Sequence, residues 1–149
     1  MKNKLIFEFS KEHTDGNASM VNLLGGKGAN LAEMSNLGIS VPPGFTITTE
    51  ACNYFMENNE LPDTLETEII NAVSKLELYS GLSFDGKSNP LLLSVRSGGR
   101  ISMPGMMDSI LNIGLNDGNI NSLVEQFNDE RFALDSYRRL IQMYSNVVL

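Results

Sequence analysis

The sequence predicts a mixed α/β (α+β) fold, and three observations predict it. The chain has 149 residues, of which 42% are hydrophobic and 19% charged, so it can bury the core of one ordinary domain. Short β-branched or apolar runs of strand length alternate with longer segments whose apolar residues recur every three or four positions. Helical segments dominate the last third of the chain, as in folds that segregate helices and strands.

Three elements in the first half follow from these patterns, and a fourth from a capping residue. They are a strand at Leu5–Phe9, a helix at Ala29–Leu37, a strand at Phe45–Thr48 and a helix from Thr49 to Met56. Gly38 is expected to end the first helix in the left-handed conformation, and Thr49 to cap the second. The side chains expected to face inward are Leu31, Ala32 and Met34 on the first helix, and Cys52, Phe55 and Met56 on the second.

Four further elements are predicted in the second half. They are a helix at Asp63–Leu78 with a stripe of Leu65, Ile69, Val73 and Leu76, a strand at Leu91–Val95, and helices at about Ile120–Phe127 and Arg131–Leu149. The continuous apolar run of the strand predicts burial on both of its faces. Because the last helix ends on apolar residues without a glycine cap or a basic last turn, we expect the chain to be the front piece of a longer protein.

Charge and cysteine content exclude several classes of protein. Eleven basic and 18 acidic residues give a net charge of −7, which disfavours a protein that coats nucleic acid phosphates. A single cysteine excludes a disulfide framework and a thiolate zinc site, and fits the reducing cytoplasm. The apolar runs are far shorter than the ~20 residues that span a bilayer, so no membrane partner is expected.

The first segment whose residues are suited to bind a ligand is Gly25–Asn30, the glycine–lysine segment, which lies between an apolar stretch and a helix. Glycines let a ligand approach the backbone, and a helix that starts there turns unpaired N–H groups toward an anion. Lys27 adds a mobile positive charge suited to a polyphosphate. The segment matches neither the P-loop nor the full dinucleotide-binding motif. A tight glycine turn with an exposed lysine is an equally good interpretation of these residues alone.

The second segment begins where the predicted buried strand ends, at Arg96, and Arg100 follows four residues later. Ligands of α/β folds usually bind at such strand ends, and guanidinium groups bind phosphate oxygens in pairs. Ser102–Ser109 adds hydroxyls, glycine and methionines, a composition that suits a lid. A buried ion pair is the alternative for Arg96, but two arginines in one glycine-rich loop of an acidic chain favour an anionic ligand.

Other candidate residues are weaker. His13 is the only histidine and lies in a polar loop, so it cannot form a histidine metal cluster. Cys52 has no base nearby in the sequence and is expected to be structural. No paired carboxylates indicate a metal site, and no residue of the chain is assigned as catalytic.

Several motifs together resemble the pyruvate, phosphate dikinase family. The matching segments are Asn17–Met20, Leu23–Met34, Pro43–Cys52, Ser94–Gly98, Ser102–Asp108 and Asp135–Ser145. The related phosphoenolpyruvate synthases share the Gly-Gly-Lys and Val-Arg-Ser segments, but Ser102–Met107 favours the dikinases. Departures are small: Gly99 stands where the family usually has alanine, and Ser109 where it usually has threonine.

The resemblance implies an ATP-grasp-like nucleotide-binding domain. Residues 1–115 would be an incomplete first subdomain, and residues 116–149 the start of a helical subdomain. The family interconverts ATP, pyruvate and phosphate with AMP, phosphoenolpyruvate and diphosphate through a phosphohistidine on another domain of the same chain. The resemblance also implies Mg²⁺, with ligands beyond residue 149, and a homodimeric full-length enzyme.

Carried over by position, the resemblance implies that Lys27 and Arg96 bind the ATP phosphates. Less certain members of that site are Ser102, Gly105, Ser109 and Arg139. We expect residues 1–149 alone to be inactive. Two alternatives stay open: a non-catalytic module that binds an anion or nucleotide, and part of an enzyme similar to phosphoenolpyruvate synthase.

Overall fold

The structure, a computed structural model, describes residues 4–84, 86–98 and 109–149. These residues form two compact units, one of residues 4–79 with residue 98, the other of residues 80–84, 86–97 and 109–149. Helices and small antiparallel sheets make up the described chain, which confirms the predicted α+β class. The predicted division into 1–115 and 116–149 stays a prediction. No helix among these residues is long and apolar enough to cross a membrane.

The first unit joins a two-stranded sheet to three helices. Its elements are β1 (Ile6–Phe9), α1 (Val21–Asn36), β2 (Gly44–Ile47), α2 (Thr49–Asn58) and α3 (Leu65–Ser80), with a 3-10 turn at Ala18–Met20 before α1. β1 and β2 are antiparallel, and the register places Ile6 opposite Ile47 and Phe9 opposite Gly44. A Cβ on Gly44 would lie 2.5 Å from the Phe9 ring, so glycine lets that ring lie over the strand.

The core of the first unit confirms most of the predicted stripe of α3: Leu65 and Leu76 are buried and Ile69 packs against the core, while Val73 is only half-buried. Buried side chains of β1, α2 and α3 form one cluster with partly buried neighbours; its members are Leu5, Ile6, Ala51, Leu65 and Ala72, with Phe45 and Ile69 packed against them. Gly38 ends α1 as predicted, with φ +74° and with its N–H donating to the Ser35 carbonyl.

The inward face predicted for α2 is wrong. The N-cap is Thr48 rather than Thr49, and its hydroxyl accepts from the Ala51 N–H, which turns Ala51 into the core. The three residues predicted to face inward, Cys52, Phe55 and Met56, are exposed. Met34 of α1 is also exposed, at 37%, because Ala29 and Ala32 occupy the buried side of that helix.

The second unit packs two helices against a second sheet. Its elements are β3 (Leu93–Arg96), β4 (Ser109–Ile113), α4 (Ile120–Phe127) and α5 (Glu130–Val148). Its core consists of Ile110, Leu115, Leu123, Ala133 and Leu140. α4 and α5 confirm the two helices predicted at about Ile120–Phe127 and Arg131–Leu149. β3 does not have two buried faces, since it pairs antiparallel with β4 and Val95 is 55% exposed.

Candidate functional site

The glycine–lysine segment lies inside α1, at a break in that helix. Gly25 has φ +70° and ψ +167°, values outside the helical region, so the helix consists of a first turn before Gly25 and a longer part after it. The sequence predicted that a helix begins in this segment, and the longer part of α1 does begin there. The preceding apolar stretch, Val21–Leu24, is itself a helical turn.

The glycines of this segment have separate roles. Gly25 supplies the positive φ of the break. Gly28 is buried, and a Cβ there would lie 2.7 Å from Thr46 Cγ2 and 2.8 Å from Thr46 Oγ1 on β2. Gly28 therefore serves close packing of helix on strand, while its neighbour Lys27 is exposed.

A side-chain hydrogen bond fixes the first turn of α1. The Thr49 hydroxyl at the start of α2 donates to the carbonyl of Asn22 across 2.7 Å. Sequence reasoning treated Thr49 as a helix cap and missed this contact. Because the two residues are 27 positions apart, no local pattern indicates it.

Arg96 and Ser109 are paired across the second sheet. Arg96 ends β3, Ser109 begins β4, and the register sets them opposite each other. Arg96 is exposed, and within residues 4–84, 86–98 and 109–149 no carboxylate lies in ion-pair range of it. The predicted site residues Ser102 and Gly105, and also Arg100, lie outside the described residues.

Arg139 lies on an exposed face of α5 and is held by a carboxylate. Its Nε donates to Asp135 Oδ2 across 2.6 Å, and Arg138 Nη2 donates to Asp135 Oδ1 across 2.8 Å. The hydrogen bonds from Arg138 and then Arg139 hold the pKa of Asp135 below its ordinary value. An anion at Arg139 would have to compete with Asp135.

The predicted site residues divide between the two units. Lys27 belongs to the first unit, while Arg96, Ser109 and Arg139 belong to the second. Within the second unit the sheet brings Arg96 and Ser109 together. His13 and Cys52 were judged weak candidates from the sequence. His13 Nε2 contacts Asp15 Oδ1 at 2.9 Å, and Cys52 is a free, exposed thiol.

Comparisons with known proteins match the chain to one family. Residues 21–80, which hold the glycine–lysine segment and all of α3, match the family model described as "Pyruvate phosphate dikinase, AMP/ATP-binding domain". The chain is 55% identical over 147 residues to a pyruvate, phosphate dikinase of Rickettsia conorii, and 56% identical over 149 residues to that of Rickettsia prowazekii. A pyruvate, phosphate dikinase of Clostridium symbiosum is 51% identical over 147 residues.

These alignments cover 98%, 99% and 98% of this chain, and 17%, 17% and 16% of the three relatives. The chain thus spans about a sixth of the length of the curated relatives that it matches. Over nearly all of its own length, this chain is therefore similar to members of the pyruvate, phosphate dikinase family, and its residues 21–80 match their AMP/ATP-binding domain.

Proposed function

We propose that the chain supplies part of the ATP-phosphate site of an enzyme that interconverts ATP, pyruvate and phosphate with AMP, phosphoenolpyruvate and diphosphate. The observation that carries the proposal is the helix break at Gly25 inside the region that matches an AMP/ATP-binding domain. The proposed roles are binding roles: Lys27 and Arg96 contact the ATP phosphates, and Ser102, Gly105, Ser109 and Arg139 are further members of the site.

The geometry around Lys27 supports its role. Lys27 is exposed and lies two positions after the break, in the first turn of the longer part of α1. N–H groups in the first turn of a helix have no partner within it, and the helix dipole there favours negative charge. Lys27 and these amides are therefore suited to bind a phosphate group together.

The geometry around Arg96 supports a second phosphate contact. Its guanidinium is exposed at the end of β3, and the Ser109 hydroxyl lies on the opposing strand. A guanidinium binds phosphate oxygens through two parallel hydrogen bonds, and a serine hydroxyl can donate a third. Such cations offset the charge that develops on a phosphoryl group as it is transferred.

The finer parts of the proposal come from the family resemblance. They are an ATP-grasp-like fold, a phosphohistidine domain in the same full-length chain, a homodimer and a cytoplasmic location. On this proposal residues 1–149 alone bind at most part of the nucleotide and do not complete the reaction.

Mg²⁺ is the cofactor that the family resemblance implies. Across the described ranges, no group of three or more His, Cys, Asp or Glu side chains could hold a metal ion. On this proposal, the Mg²⁺ ligands lie beyond residue 149.

The test is ATP binding by the complete gene product, measured by calorimetry for Lys27→Ala and Arg96→Ala. Each variant is expected to bind ATP about tenfold more weakly or worse, since a hydrogen bond between charged groups contributes about 1.5–3 kcal/mol. Matched controls are Lys11→Ala in the first unit and Arg131→Ala in the second, both at exposed positions, and these should bind ATP as the unmodified protein does. Unchanged affinity in both test variants would refute the proposed site.

A further inference from the structure

The break in α1 creates a structural requirement at its first turn. A helix cannot continue its i→i−4 hydrogen bonds through a residue with φ +70°, so carbonyl groups just before Gly25 need other partners. The Asn22 carbonyl has such a partner in the Thr49 hydroxyl, at 2.7 Å. Thr49 thus contributes to ending the first turn of α1 where the break begins.

Thr49 is itself held in a fixed position by the residue before it. Thr48 is 1% exposed, caps α2 and donates its backbone N–H to the Leu5 carbonyl across 3.0 Å. The Thr49 hydroxyl therefore extends from a point that is fixed to both α2 and the chain entering β1. Its bond to Asn22 transmits that fixed position to the turn that precedes Gly25.

We infer that Thr49 is a positioning residue for the phosphate-binding segment. By holding the Asn22 carbonyl, its hydroxyl sets where the first turn ends, and so the direction in which Lys27 and the following amides face the ATP phosphates. This inference rests on the proposed function and adds a residue that touches no phosphate itself.

A purely structural role for Thr49 predicts a different result. The bond to Asn22 is solvent-exposed, and water can replace either partner when it breaks, so its loss should change the stability of the fold little. Phosphate binding depends more strongly on the direction of the segment, because hydrogen bonds to an anion weaken steeply with misalignment. The effect of losing the hydroxyl should therefore appear in ATP affinity more than in thermal stability.

The test compares Thr49→Val with Thr49→Ser in the complete gene product. Valine keeps the shape of the side chain and removes the donor, and should weaken ATP binding about two- to tenfold, with a melting temperature close to that of the unmodified protein. Serine keeps the hydroxyl donor, so Thr49→Ser should bind ATP with the affinity of the unmodified protein. The matched control is Thr64→Val, which removes a hydroxyl that donates to Glu68 Oε1 across 2.9 Å in the same unit, and it should leave ATP affinity unchanged.

A double-mutant cycle with Lys27→Ala identifies how Thr49 acts. If Thr49 acts through the segment that carries Lys27, Thr49→Val should have a smaller effect in the Lys27→Ala background than in the unmodified protein. Full additivity, wild-type ATP affinity in Thr49→Val, or an equal loss in Thr64→Val would each overturn the inference. The proposed function itself fails only if Lys27→Ala and Arg96→Ala both bind ATP normally, so a failure of the inference about Thr49 is distinguishable from a failure of the proposed function.

Discussion

At the scale of single residues, the glycines of the chain show what a motif predicts and what it does not. The predicted stop at Gly38 is confirmed, because a left-handed glycine after a helix is a local signal. The roles of Gly25 and Gly28 could not be separated in the sequence. One supplies a positive φ, and the other makes room for Thr46, a residue 18 positions away.

Gly28→Ala tests the packing role of that glycine. Alanine gains about 1 kcal/mol of helix propensity over glycine, but its Cβ would lie under 3.0 Å from two atoms of Thr46. Because a β-branched threonine is stiff at χ1, overpacking of about 1–3 kcal/mol should outweigh the gain and lower the free energy of unfolding. Urea denaturation measures the change. Adding Thr46→Ala should recover stability, and the open position Gly98→Ala is the control.

Asn119→Ala tests a buried polar side chain in the turn before α4. Asn119 is 2% exposed; its Nδ2 donates to the Gly114 carbonyl and its Oδ1 accepts from the Asn116 N–H, both across 2.8 Å. Alanine would leave two backbone groups without these partners, which costs about 2–4 kcal/mol. In thermal unfolding, Asn119→Ala should therefore melt at a lower temperature than the exposed control Asn121→Ala. Equal stability of the two variants would refute this role.

At the scale of elements, β1, β2 and the last three helices were predicted closely, while the first eight residues of α1 and the whole of β4 were missed. The spacing of apolar residues predicted α3, α4 and α5 within a few residues of their bounds. β4 was missed because its alternation is broken: Leu93 pairs with Ile113 but Val95 with Ile110, so β4 carries one extra residue. Asn112 adopts φ +61° at this irregularity, and such a bulge has no simple sequence pattern.

The apolar stripe of α5 is buried on only one side, and a pair of substitutions tests this division. Leu140 belongs to the core cluster of the second unit, while its neighbour Ile141 is 56% exposed. Leu140→Ala should lower the free energy of unfolding by about 2–4 kcal/mol, and Ile141→Ala by about 0.5 kcal/mol or less. Chemical denaturation of both variants decides the question. Similar losses at the two positions would contradict the packing described for α5.

An ion-pair network between β1 and the following loop predicts a pH dependence of stability. Burial raises the pKa of Asp15, but Lys4 at 2.7 Å, the Glu8 N–H and His13 outweigh it and hold that pKa below its ordinary value. The unfolded chain therefore takes up this proton first as the pH falls. The contribution of Asp15 to stability is present above about pH 4 and is lost below it.

Asp15→Asn measures that contribution. The variant should lose stability at neutral pH and show a weaker decrease of the free energy of unfolding between about pH 5 and pH 2. The control is Asp63→Asn, which removes an exposed carboxylate outside this network. If the free energy of unfolding of Asp15→Asn decreased with falling pH as steeply as that of the unmodified protein, the network would not contribute to stability.

At the scale of the whole molecule, the predicted site residues are distributed over two compact units. The sequence singled out the segments for which phosphate binding is proposed, because Gly25–Lys27 and Arg96 are local signals next to predicted elements. It did not predict that Arg96 ends an antiparallel strand opposite Ser109, nor that Arg139 is held by Asp135. Both features depend on tertiary partners that composition and periodicity do not identify.

The most direct test of the proposed phosphate site is hydrogen exchange of the complete gene product with and without saturating ATP, followed by mass spectrometry. Peptides that contain Gly25–Gly28 and peptides that contain Arg96 should both exchange more slowly when ATP is bound, because a bound phosphate group accepts hydrogen bonds from backbone amides near these cations. Peptides from α4 should not change. Unaltered exchange in both segments at saturating ATP would contradict the account.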